Sequence, residues 1–514
     1  MISRLLLRFG RAPGGPVQSF DVTPITVFVG PNNSGKSLIL NEINHLCQNG
    51  EHKGQTSLIL DRFEFTPQDA AAAKSILDSI RRAPDPNEVF PPGQVLVGNA
   101  GHRALINEQG FVELLRSPGA NMRALAQWFL SHCTLMLNGS RRINLAGQQP
   151  GGDLNAPPQN SLQVLFRDDA RRLTLRRIVN DAFHLHLVID PTNLGNLRVR
   201  LSSVAPRDHT QERGIDADAV AFHAAATLID QFSDGVRAFV GIMIELIAGE
   251  PRIILIDEPE AFLHPALASK LGLEVARSTS QSDKRLFVST HSPQFVMGCI
   301  QSGAPVNIVR LTYRNSIATA RLLPSGDLLK LMRHPLLRST GLLSGLFYEF
   351  VVVTESDADR AFYQEINERL LRFKPEWGIP NCLFLNAQNW QTAHQLVRPL
   401  RDLGIPTAAI LDVDIVNTGG GAWTSLLSGA HVPSASHQSL GQLRSAVNQL
   451  FTSTAGNVKA AGVALLQGQD REAAENLCDQ LDSYGIFLVR GGELETWLAK
   501  LGAARHGPPW LIDV

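Results

Sequence analysis

Residues 30–37 read Gly30-Pro31-Asn32-Asn33-Ser34-Gly35-Lys36-Ser37, which fits the pattern GxxxxGK[ST] of a P-loop. The apolar run before it, residues 25–29, predicts a buried strand, and residues 38–43 after it predict the start of a helix. Glycines in such a loop let backbone N–H groups point inward at an anion, and the helix N-terminus adds a partial positive charge. With strand and helix both in place, the stretch predicts a nucleoside triphosphate site rather than a chance glycine-rich turn.

Each part of this loop has an expected role. Lys36 would reach the β- and γ-phosphates, and the Ser37 hydroxyl would hold Mg²⁺. The expected ligand is therefore ATP with Mg²⁺. The predicted binding residues of the loop are Gly30, Asn32, Asn33, Ser34, Gly35, Lys36 and Ser37.

The composition limits the class of protein. A chain of 514 residues is too long for one hydrophobic core, so roughly two to four domains are expected. The hydrophobic content of 44% and the charged content of 18% are typical of an ordinary globular protein. A net charge of -1 gives the chain no overall basic field for nucleic acid, so any such surface must be local.

The expected compartment follows from what the sequence lacks. No apolar run is long enough to cross a bilayer, and residues 1–8 are interrupted by arginines, which predicts a first strand rather than a signal peptide. The five cysteines, at positions 47, 133, 299, 382 and 478, include no CxxC pair. These features predict a cytoplasmic protein with no membrane partner, no disulfide framework and no structural zinc.

Two further apolar runs end in residues that suit a nucleotide site. Residues 253–256 are followed by Asp257-Glu258-Pro259-Glu260, as expected for a buried parallel strand with carboxylates at its C-terminal tip. Asp257 would bind or support Mg²⁺, and Glu258 would polarise the attacking water. Residues 285–290 predict another buried strand, and His291 at its tip would reach the γ-phosphate.

In order and spacing these motifs resemble the ABC-type ATPase heads of the chromosome-maintenance and RecF-like branch, which also carry a motif like Leu263-His264-Pro265 after the acidic residues. By this resemblance, Ser233-Asp234-Gly235 is the signature motif, although Phe232 and Asp234 depart from the transporter pattern LSGGQ. The resemblance implies that the Ser233 hydroxyl and the Gly235 N–H face the γ-phosphate held by a second protomer. It therefore implies a homodimer, or a higher homo-oligomer, formed through the ATPase heads. No Q-loop is identified.

Residues 60–215 are interpreted as an elaborated part of the ATPase domain, because Pro- and Gly-rich stretches separate helical and strand-like pieces. Residues 168–177 contain two arginine pairs, Arg171-Arg172 and Arg176-Arg177. They predict either a basic patch that faces DNA or a solvated helix face with Asp168 and Asp169 as partners.

Three strands predicted in the C-terminal part each end in acidic residues. Residues 350–354 lead to Glu355, residues 406–411 lead to Asp412-Val413-Asp414, and residues 485–489 lead to Glu493 and Glu495. In a parallel α/β sheet such tips converge in one crevice, where carboxylates repel one another unless a divalent cation neutralises them. Oxygen ligands select Mg²⁺ or Mn²⁺, and such a site suits in-line displacement at phosphorus.

Glu355 and the pair Asp412 and Asp414 resemble the acidic pattern of the Toprim domain, although Ser356 stands where that domain usually has Gly. An N-terminal ABC head fused to a C-terminal Toprim domain is similar to the OLD (overcoming lysogenization defect) family of ATP-dependent nucleases. That family includes the nuclease of the Gabija system and some retron effectors. The resemblance implies that Glu355, Asp412 and Asp414 bind one metal ion.

The same resemblance implies a second metal ion and a basic residue. Asp359, Glu493 and Glu495 would complete or support the second metal site, although Asp359 is equally interpreted as a first-turn helix acid. Lys500 is the candidate for a cation that steadies the phosphate, with Arg490 behind it, and a surface lysine is the alternative.

The predicted fold class is α/β, with an ABC-type P-loop ATPase domain with insertions followed by a Toprim domain, which is a Rossmann-like parallel sheet. The predicted domains are residues 1–325, a helical connector at 326–345, and the Toprim domain at 346–514. Within the latter, residues 417–436 are rich in Gly and Ser and predict a loop, and residues 440–451 predict a helix.

The resemblance implies an ATP-regulated, divalent-metal-dependent DNA endonuclease in anti-phage defence, with DNA and a second defence-system subunit as partners. Two other interpretations stay open. One is a RecF-like ATP-dependent DNA-binding or repair protein with a degenerate Toprim domain, which Ser356 favours. The other is a topoisomerase or primase, against which stand the unsuitable settings of the four tyrosines and the lack of a zinc ribbon.

Overall fold

The computed structural model describes residues 1–52, 57–82, 88–99, 102–333, 341–497, 502 and 510. Residue contacts divide the chain into two compact units. The N-terminal unit consists of Met1–Val29 and Asn33–Ser325, and the C-terminal unit consists of Gly30–Asn32 and Gly326–Val514. Within the described ranges, no helix has the length and apolar character needed to span a membrane.

Strands and helices alternate along most of the chain. The strands are β1 (Ile2–Gly10), β2 (Val17–Asp21), β3 (Ile25–Val29), β4 (Leu60–Phe65), β5 (Gln94–Asn99), β6 (His102–Asn107), β7 (Thr134–Leu137), β8 (Gln149–Pro150), β9 (His186–Asn193), β10 (Asn196–Ser202), β11 (Thr227–Leu228), β12 (Ile253–Asp257), β13 (Arg285–Ser289), β14 (Val306–Arg314), β15 (Ile317–Leu323), β16 (Phe350–Thr354), β17 (Cys382–Asn386), β18 (Thr407–Asp412) and β19 (Ile486–Val489). The α-helices are Lys36–Asn49, Ala70–Ile80, Glu108–Arg116, Met122–Leu125, Ser131–Cys133, Gly139–Asn144, Ser161–Arg167, Asp169–Phe183, His209–Arg213, Ala217–Ala225, Asp234–Ala248, Pro265–Ser280, Pro293–Gln301, Ser325–Arg333, Asp357–Phe373, Trp390–Asp402, Gly420–Gly429, Ser434–Ser453, Val458–Ala461, Gly468–Asp482 and Leu494–Trp497.

The central sheet of the N-terminal unit has the strand order β15-β14-β3-β13-β12-β7 among the described residues. All neighbouring strands run parallel except β14 and β15. Every residue of β3 is buried, which is the continuous apolar pattern of a strand covered on both faces. The predicted strands before the P-loop, before Asp257 and before His291 are confirmed. Because parallel strands end at one edge of a sheet, the segments after β3, β12 and β13 lie side by side.

The helix Lys36–Asn49 confirms the predicted helix start, and it buries Ile39, Leu40 and Ile43 completely. Glu42 of this helix connects it to the start of the next strand, β4. The Glu42 carboxylate accepts hydrogen bonds from the backbone N–H groups of Leu58 at 2.8 Å and Leu60 at 2.7 Å. A buried carboxylate in a ring of N–H donors fixes the start of β4 against the P-loop helix.

Residues 60–215 add smaller antiparallel sheets to this unit. Strand β4 joins β1 and β2 in the order β2-β1-β4, and β5 pairs with β6. Strand β10 pairs with β8, β9 and β11. Strand β1 confirms the predicted first strand. The helix Ala217–Ala225 is followed by β11.

The arginine-rich segment forms the helix Asp169–Phe183, and its two inner arginines correct both predictions made for it. Arg172 is fully buried, and its Nε donates to Glu212 Oε2 at 2.9 Å. Arg176 pairs with the other oxygen of the same carboxylate. Neither a DNA-facing patch nor a solvated face describes these two side chains. The predicted partners are confirmed, because Arg171 pairs with Asp168 at 3.1 Å and Arg172 with Asp169 at 2.5 Å.

The C-terminal unit is built on a sheet with the strand order β17-β16-β18-β19 in the described part of the chain, and all its pairs are parallel. The predicted strands that precede Glu355, Asp412 and Glu493 are confirmed as β16, β18 and β19. They are neighbours with the same direction, so their acidic tips lie at one edge, as the sequence predicts.

One local prediction in the C-terminal part needs correction. The predicted loop at 417–436 is wrong, because it contains the helix Gly420–Gly429 and the first residues of Ser434–Ser453. Trp423, Leu426 and Leu427 are buried, so apolar spacing outweighs the Gly and Ser content. The connector is helical over Ser325–Arg333 and forms a 3-10 helix over Leu342–Phe347, and residues 334–340 lie outside the described residues.

Candidate functional sites

The P-loop backbone has the geometry of an anion-binding turn. Asn33 has a φ of 60° and Gly35 a φ of 94°, both in the left-handed region. A Cβ at Gly35 would lie 2.4 Å from Ile59 Cδ1, so only glycine fits there. The helix then starts at Lys36, so its first N–H groups are directed at the loop.

Lys36 lies among the acids that follow β12. Only 4% of Lys36 is exposed. Burial lowers the pKa of Lys36 to about 8, although the carboxylates of Glu258, Asp257 and Glu260 act in the opposite direction. The sequence-predicted lysine and acids are thus brought together. A bound phosphate would add negative charge and would favour the charged ammonium.

Asp257 joins the P-loop helix to the neighbouring strand. Its Oδ1 accepts a hydrogen bond from Ser37 Oγ at 2.9 Å and another from Ser289 Oγ. The predicted Mg²⁺ ligands Ser37 and Asp257 are therefore in direct contact. A hydroxyl and a carboxylate at one point are the hard oxygen donors that suit Mg²⁺, so these residues fit the ion that the motif implies.

Glu258 and His291 face each other at the tips of β12 and β13. Glu258 has a φ of 52°, and its N–H donates to the Ser289 carbonyl at 2.8 Å. Glu258 Oε1 lies 3.6 Å from His291 Nε2. Burial, and then the charge of Lys36, lower the pKa of His291. A neutral imidazole beside a carboxylate is suited to orient a water molecule.

Sequence reasoning missed Arg142, which lies in the helix Gly139–Asn144 after β7. Its Nη1 donates to the Asp257 carbonyl at 2.7 Å and also to the Glu258 carbonyl. Only 2% of Arg142 is exposed, and burial lowers its pKa. The only available signal was the pair Arg141-Arg142 after a short apolar strand. The pair alone does not show which arginine is buried, because that depends on how the helix packs after β7, a strand that the sequence does not predict.

The signature candidates lie at the start of the helix Asp234–Ala248. Ser233 is the residue before the first turn, and its side chain makes no capping hydrogen bond. A Cβ at Gly235 would lie 2.4 Å from the Phe262 carbonyl oxygen, so the helix start and the turn after Glu260 are in close contact. The glycine is required for this contact, and the roles of Ser233 and Gly235 toward nucleotide stay predictions.

In the C-terminal unit, Glu355 and Asp412 are in contact. The Asp412 N–H donates to Glu355 Oε2 at 3.2 Å. Burial first, and then the neighbouring carboxylates, raise the pKa of Asp412 to about 8. Burial also raises the pKa of Glu355, with Asp414 and Asp359 adding to it. These acids therefore repel one another in a partly buried crevice, as predicted for neighbouring strand tips.

Asp414 has a partner that the sequence did not suggest. Lys459 Nζ lies 3.0 Å from Asp414 Oδ2, and this hydrogen bond raises the pKa of Lys459. Asp414 Oδ1 is buried and has no hydrogen-bond partner among the described residues. Gly492 lets the Lys459 backbone approach closely, because a Cβ at Gly492 would lie 2.1 Å from the Lys459 carbonyl oxygen. Lys459 lies 45 residues beyond Asp414, in a short helix without a motif, so no sequence signal revealed it.

The remaining predicted acids lie in two places: Asp359 and Glu495 are close together, and Glu493 is near Lys459. Asp359 forms a capping box with Ser356, whose N–H donates to Asp359 Oδ2 at 2.9 Å, so the interpretation as a helix acid is confirmed. Glu495 nevertheless raises the pKa of Asp359, which places the two acids close together. Glu493 lies close enough to Lys459 to raise its pKa.

The predicted phosphate-binding cations are not in the predicted arrangement. Lys500 lies outside the described residues. Arg490 Nη2 donates to Asp479 at 2.7 Å and to Asp482 at 2.6 Å, so it is held by surface carboxylates. Among the residues that the structure describes, Lys459 is a cation in contact with the acidic crevice, through Asp414.

Ser356 and Tyr363 bear on the alternative functions. Ser356 has a φ of −123° and a ψ of 172°, an extended backbone that any residue adopts, so glycine is not required there. The backbone at this position therefore does not require the glycine that the Toprim resemblance leads one to expect. Burial, Asp359 and Asp412 raise the pKa of Tyr363, which lies nearer the acids than its sequence context suggested. A raised phenol pKa disfavours the phenolate that a topoisomerase nucleophile needs.

The acidic crevice offers the oxygen donors that a hard cation prefers. Its side chains are carboxylates, and Asp414 Oδ1 is a buried oxygen without a partner in the described part of the chain. Within those same residues, no three His, Cys, Asp or Glu side chains are already grouped as a metal site. The donor set fits Mg²⁺ or Mn²⁺, and Lys459 is the cation that a metal ion would compete with at Asp414.

The raised pKa of Asp412 predicts a pH-dependent stability of the metal-free protein. A folded pKa of about 8, above the ordinary value of 3.8, means that the folded state binds more protons than the unfolded state between these values. Stability contributed by the protonated carboxyl is complete below about pH 4 and is lost as the pH rises toward about 8. In EDTA, we expect a lower melting temperature at pH 8 than at pH 6. Melting curves of Asp412→Asn should show a smaller difference, and an unchanged difference would contradict the assignment.

Comparison with known protein families gives a match within the N-terminal unit. Residues 155–297 match a family described as an AAA domain and associated with the AbiEii toxin of a type IV TA system. This segment includes Ser233, Asp257, Glu258 and His291 and follows the P-loop. The chain therefore contains an α/β P-loop domain similar to AAA-type ATPases. Comparison with curated proteins gives no match.

Solved structures of SMC heads are similar to part of the chain. The SMC head bound to the C-winged helix domain of ScpA is 14% identical, with 64% of this chain and 99% of that chain covered and a TM-score of 0.35. The SMC head domain from Thermotoga maritima is 11% identical, with 63% of this chain and 99% of that chain covered and a TM-score of 0.32.

Proposed function

We propose that this protein is an ATP-regulated, divalent-metal-dependent DNA endonuclease of the kind that combines an ABC-type ATPase domain with a Toprim domain. The observation that carries the proposal is the set of carboxylates at the tips of the adjacent parallel strands β16, β18 and β19. Their oxygens suit Mg²⁺ or Mn²⁺, and such a cation would offset the repulsion between the acids. Phosphodiester hydrolysis is the reaction that this donor set supports best.

The residues of the C-terminal unit have distinct proposed roles. Glu355, Asp412 and Asp414 hold a first divalent ion, and Asp359, Glu493 and Glu495 complete or support a second. When bound, such an ion lowers the pKa of its water and offsets the charge of the phosphate. Lys459, whose side chain is half exposed and contacts Asp414, is the proposed cation for the phosphate of the DNA strand. Lys459, which is among the described residues, therefore takes the phosphate-binding role that the sequence analysis assigned to Lys500.

The nucleotide site has the proposed role of a regulator. Lys36 and the P-loop hold the ATP phosphates, Ser37 and Asp257 hold Mg²⁺, and Glu258 with His291 orients the attacking water. Ser233 and Gly235 of a second copy complete the site, so ATP joins two heads in a homodimer. DNA cleavage is itself downhill, so the nucleotide state controls geometry rather than supplying energy.

The proposed biological setting is anti-phage defence, with DNA as substrate and a second defence-system subunit as a further partner. The description of the matched family names a toxin and a TA system, which is compatible with a role in anti-phage defence. This part of the proposal depends on the resemblance to OLD-family nucleases.

The nuclease is tested by nicking of supercoiled plasmid in Mg²⁺ and in Mn²⁺. Wild type is expected to nick, and Asp412→Ala is expected to lose at least about 100-fold in rate, because a carboxylate that holds the ion is removed. Asp470→Ala, which removes an exposed carboxylate in the same unit, is the matched control and should nick like wild type. Equal rates for wild type and Asp412→Ala in both metals would overturn the nuclease proposal.

Two observations favour a second candidate, a RecF-like ATP-dependent DNA-binding protein whose C-terminal unit is inactive. Lys459 already neutralises Asp414, and the acids of the described residues are not grouped as a ready metal site. In that case the protein binds DNA in an ATP-dependent manner, and neither metal supports cleavage by wild type. Mobility-shift assays with and without ATP, run beside the nicking assay, separate the two functions.

A further inference from the structure

Arg142 contacts two parts of the nucleotide site from one buried position. Its guanidinium donates to the carbonyl oxygens of Asp257 and Glu258. Its own carbonyl oxygen lies against the helix Asp234–Ala248, because a Cβ at Gly241 would come within 2.7 Å of it. That helix begins directly after Ser233. Arg142 is therefore in contact both with the acid turn and with the helix that carries the signature residues.

The turn that Arg142 contacts is one that needs support. Glu258 has a φ of 52°, a backbone conformation that costs free energy for a residue other than glycine unless its surroundings hold it. A guanidinium presents several N–H donors in a fixed plane, so it satisfies two successive carbonyl groups at once. Its charge also opposes the repulsion between the carboxylates of Asp257, Glu258 and Glu260, all of which interact with it.

We propose that Arg142 is a positioning residue whose guanidinium holds the turn Asp257–Glu258 in the geometry required for ATP hydrolysis. The proposal rests on the proposed ATPase activity. Arg142 does not act as a catalytic residue, because its contacts are with backbone carbonyl groups. A loss of Arg142 therefore changes the placement of the Glu258 carboxylate, whereas the P-loop residues Lys36 and Ser37 keep their side chains for binding the nucleotide.

The neighbouring arginine is a matched control. Arg141 belongs to the same helix, but it is exposed, and its Nη1 donates to the Met136 carbonyl at 3.4 Å. Arg141→Ala and Arg142→Ala remove the same side chain one residue apart. A general effect of losing an arginine from this helix appears in both variants, whereas the positioning role affects Arg142→Ala alone.

The first measurement is hydrogen exchange of the segment 258–263 without nucleotide. We expect the amides of this segment to exchange about 10-fold faster in Arg142→Ala, because a lost hydrogen bond shifts a local opening equilibrium by about that factor. Amides of β9 and β10 should be unchanged. Unchanged exchange at 258–263 overturns the proposal, and this result does not depend on whether the protein hydrolyses ATP.

The second measurement separates kcat from KM for ATP. We expect kcat of Arg142→Ala to fall by about 100-fold, as for other small displacements of a reacting group, with KM within about threefold of wild type. Millimolar guanidinium should restore part of kcat in Arg142→Ala and have no such effect on Arg141→Ala. A variant that loses ATP affinity in parallel with kcat, without recovery in guanidinium, contradicts the positioning role.

Two results would require a different test of Arg142: a misfolded Arg142→Ala variant, or a wild type that does not hydrolyse ATP. Should Arg142→Ala fail to fold, Arg142→Lys keeps the charge and one donor, and it should show an intermediate kcat with an unchanged KM; an Arg142→Lys kcat equal to that of wild type overturns the proposal. Should wild type hydrolyse no ATP, the proposed ATPase activity fails, and the exchange measurement alone judges Arg142.

Discussion

Lys36→Ala is expected to lower ATP hydrolysis by about 100- to 1,000-fold while leaving DNA nicking in the absence of nucleotide at the rate of wild type. Lys36 is a buried cation at the start of the P-loop helix, and the acids of the β12 turn lie around it. Its removal takes away the donor that holds the β- and γ-phosphates. The predicted nuclease residues belong to a different parallel sheet, so their chemistry does not require this ammonium. The two activities are measured on one preparation, by phosphate release and by plasmid nicking.

The matched control is Lys74→Ala, which removes an exposed lysine from the helix Ala70–Ile80 of the same unit. It should leave both activities unchanged. A complete loss of nucleotide-free nicking in Lys36→Ala, with the fold intact, would contradict a purely regulatory role for the P-loop. Unchanged phosphate release would instead contradict the assignment of residues 30–37 as the nucleotide site.

The sequence was sufficient wherever a residue type is required by backbone geometry or by strand direction. Gly35 is needed because its φ is left-handed and a Cβ would meet Ile59, and this is why the motif is recognisable without a structure. The tips of β16 and β18 were predictable because parallel strands end at one edge of their sheet. Glu355 and Asp412 are accordingly in contact.

The sequence was insufficient where a long-range partner decides the role of a charged side chain. Lys459 and Arg142 each lie in a short helix whose local sequence gives no sign of its contacts. The neighbouring residues in the sequence predict that Arg172 is a surface charge. It is buried because Glu212, 40 residues later, pairs with it. The wrong loop at 417–436 has a related cause, because composition was weighed above the spacing of its buried residues.

The buried pair of Arg172 and Glu212 leads to the largest expected change in stability. Glu212 is 1% exposed, and it contacts Arg172 with one carboxylate oxygen and Arg176 with the other. Glu212→Ala leaves the guanidinium of Arg172 buried with Asp169 as its remaining carboxylate partner. Removal of one member of a buried ion pair typically costs about 3–5 kcal/mol. We therefore expect the free energy of local unfolding around β9 and β10 to fall by that amount.

Hydrogen exchange is the suitable measurement, because it reports the stability of these strands separately from the rest of the chain. The matched control is Glu113→Ala, which breaks the exposed pair of Glu113 and Arg116 and should change stability by less than about 1 kcal/mol. Glu212→Gln should fall between the two, since the amide keeps one acceptor and loses the charge. If the amides of β9 and β10 are as well protected from exchange in Glu212→Ala as in Glu113→Ala, the buried pair contributes no net stability. The residues 160–215 would then owe their order to apolar packing around Leu187, Val188 and Ile189, which are fully buried in β9.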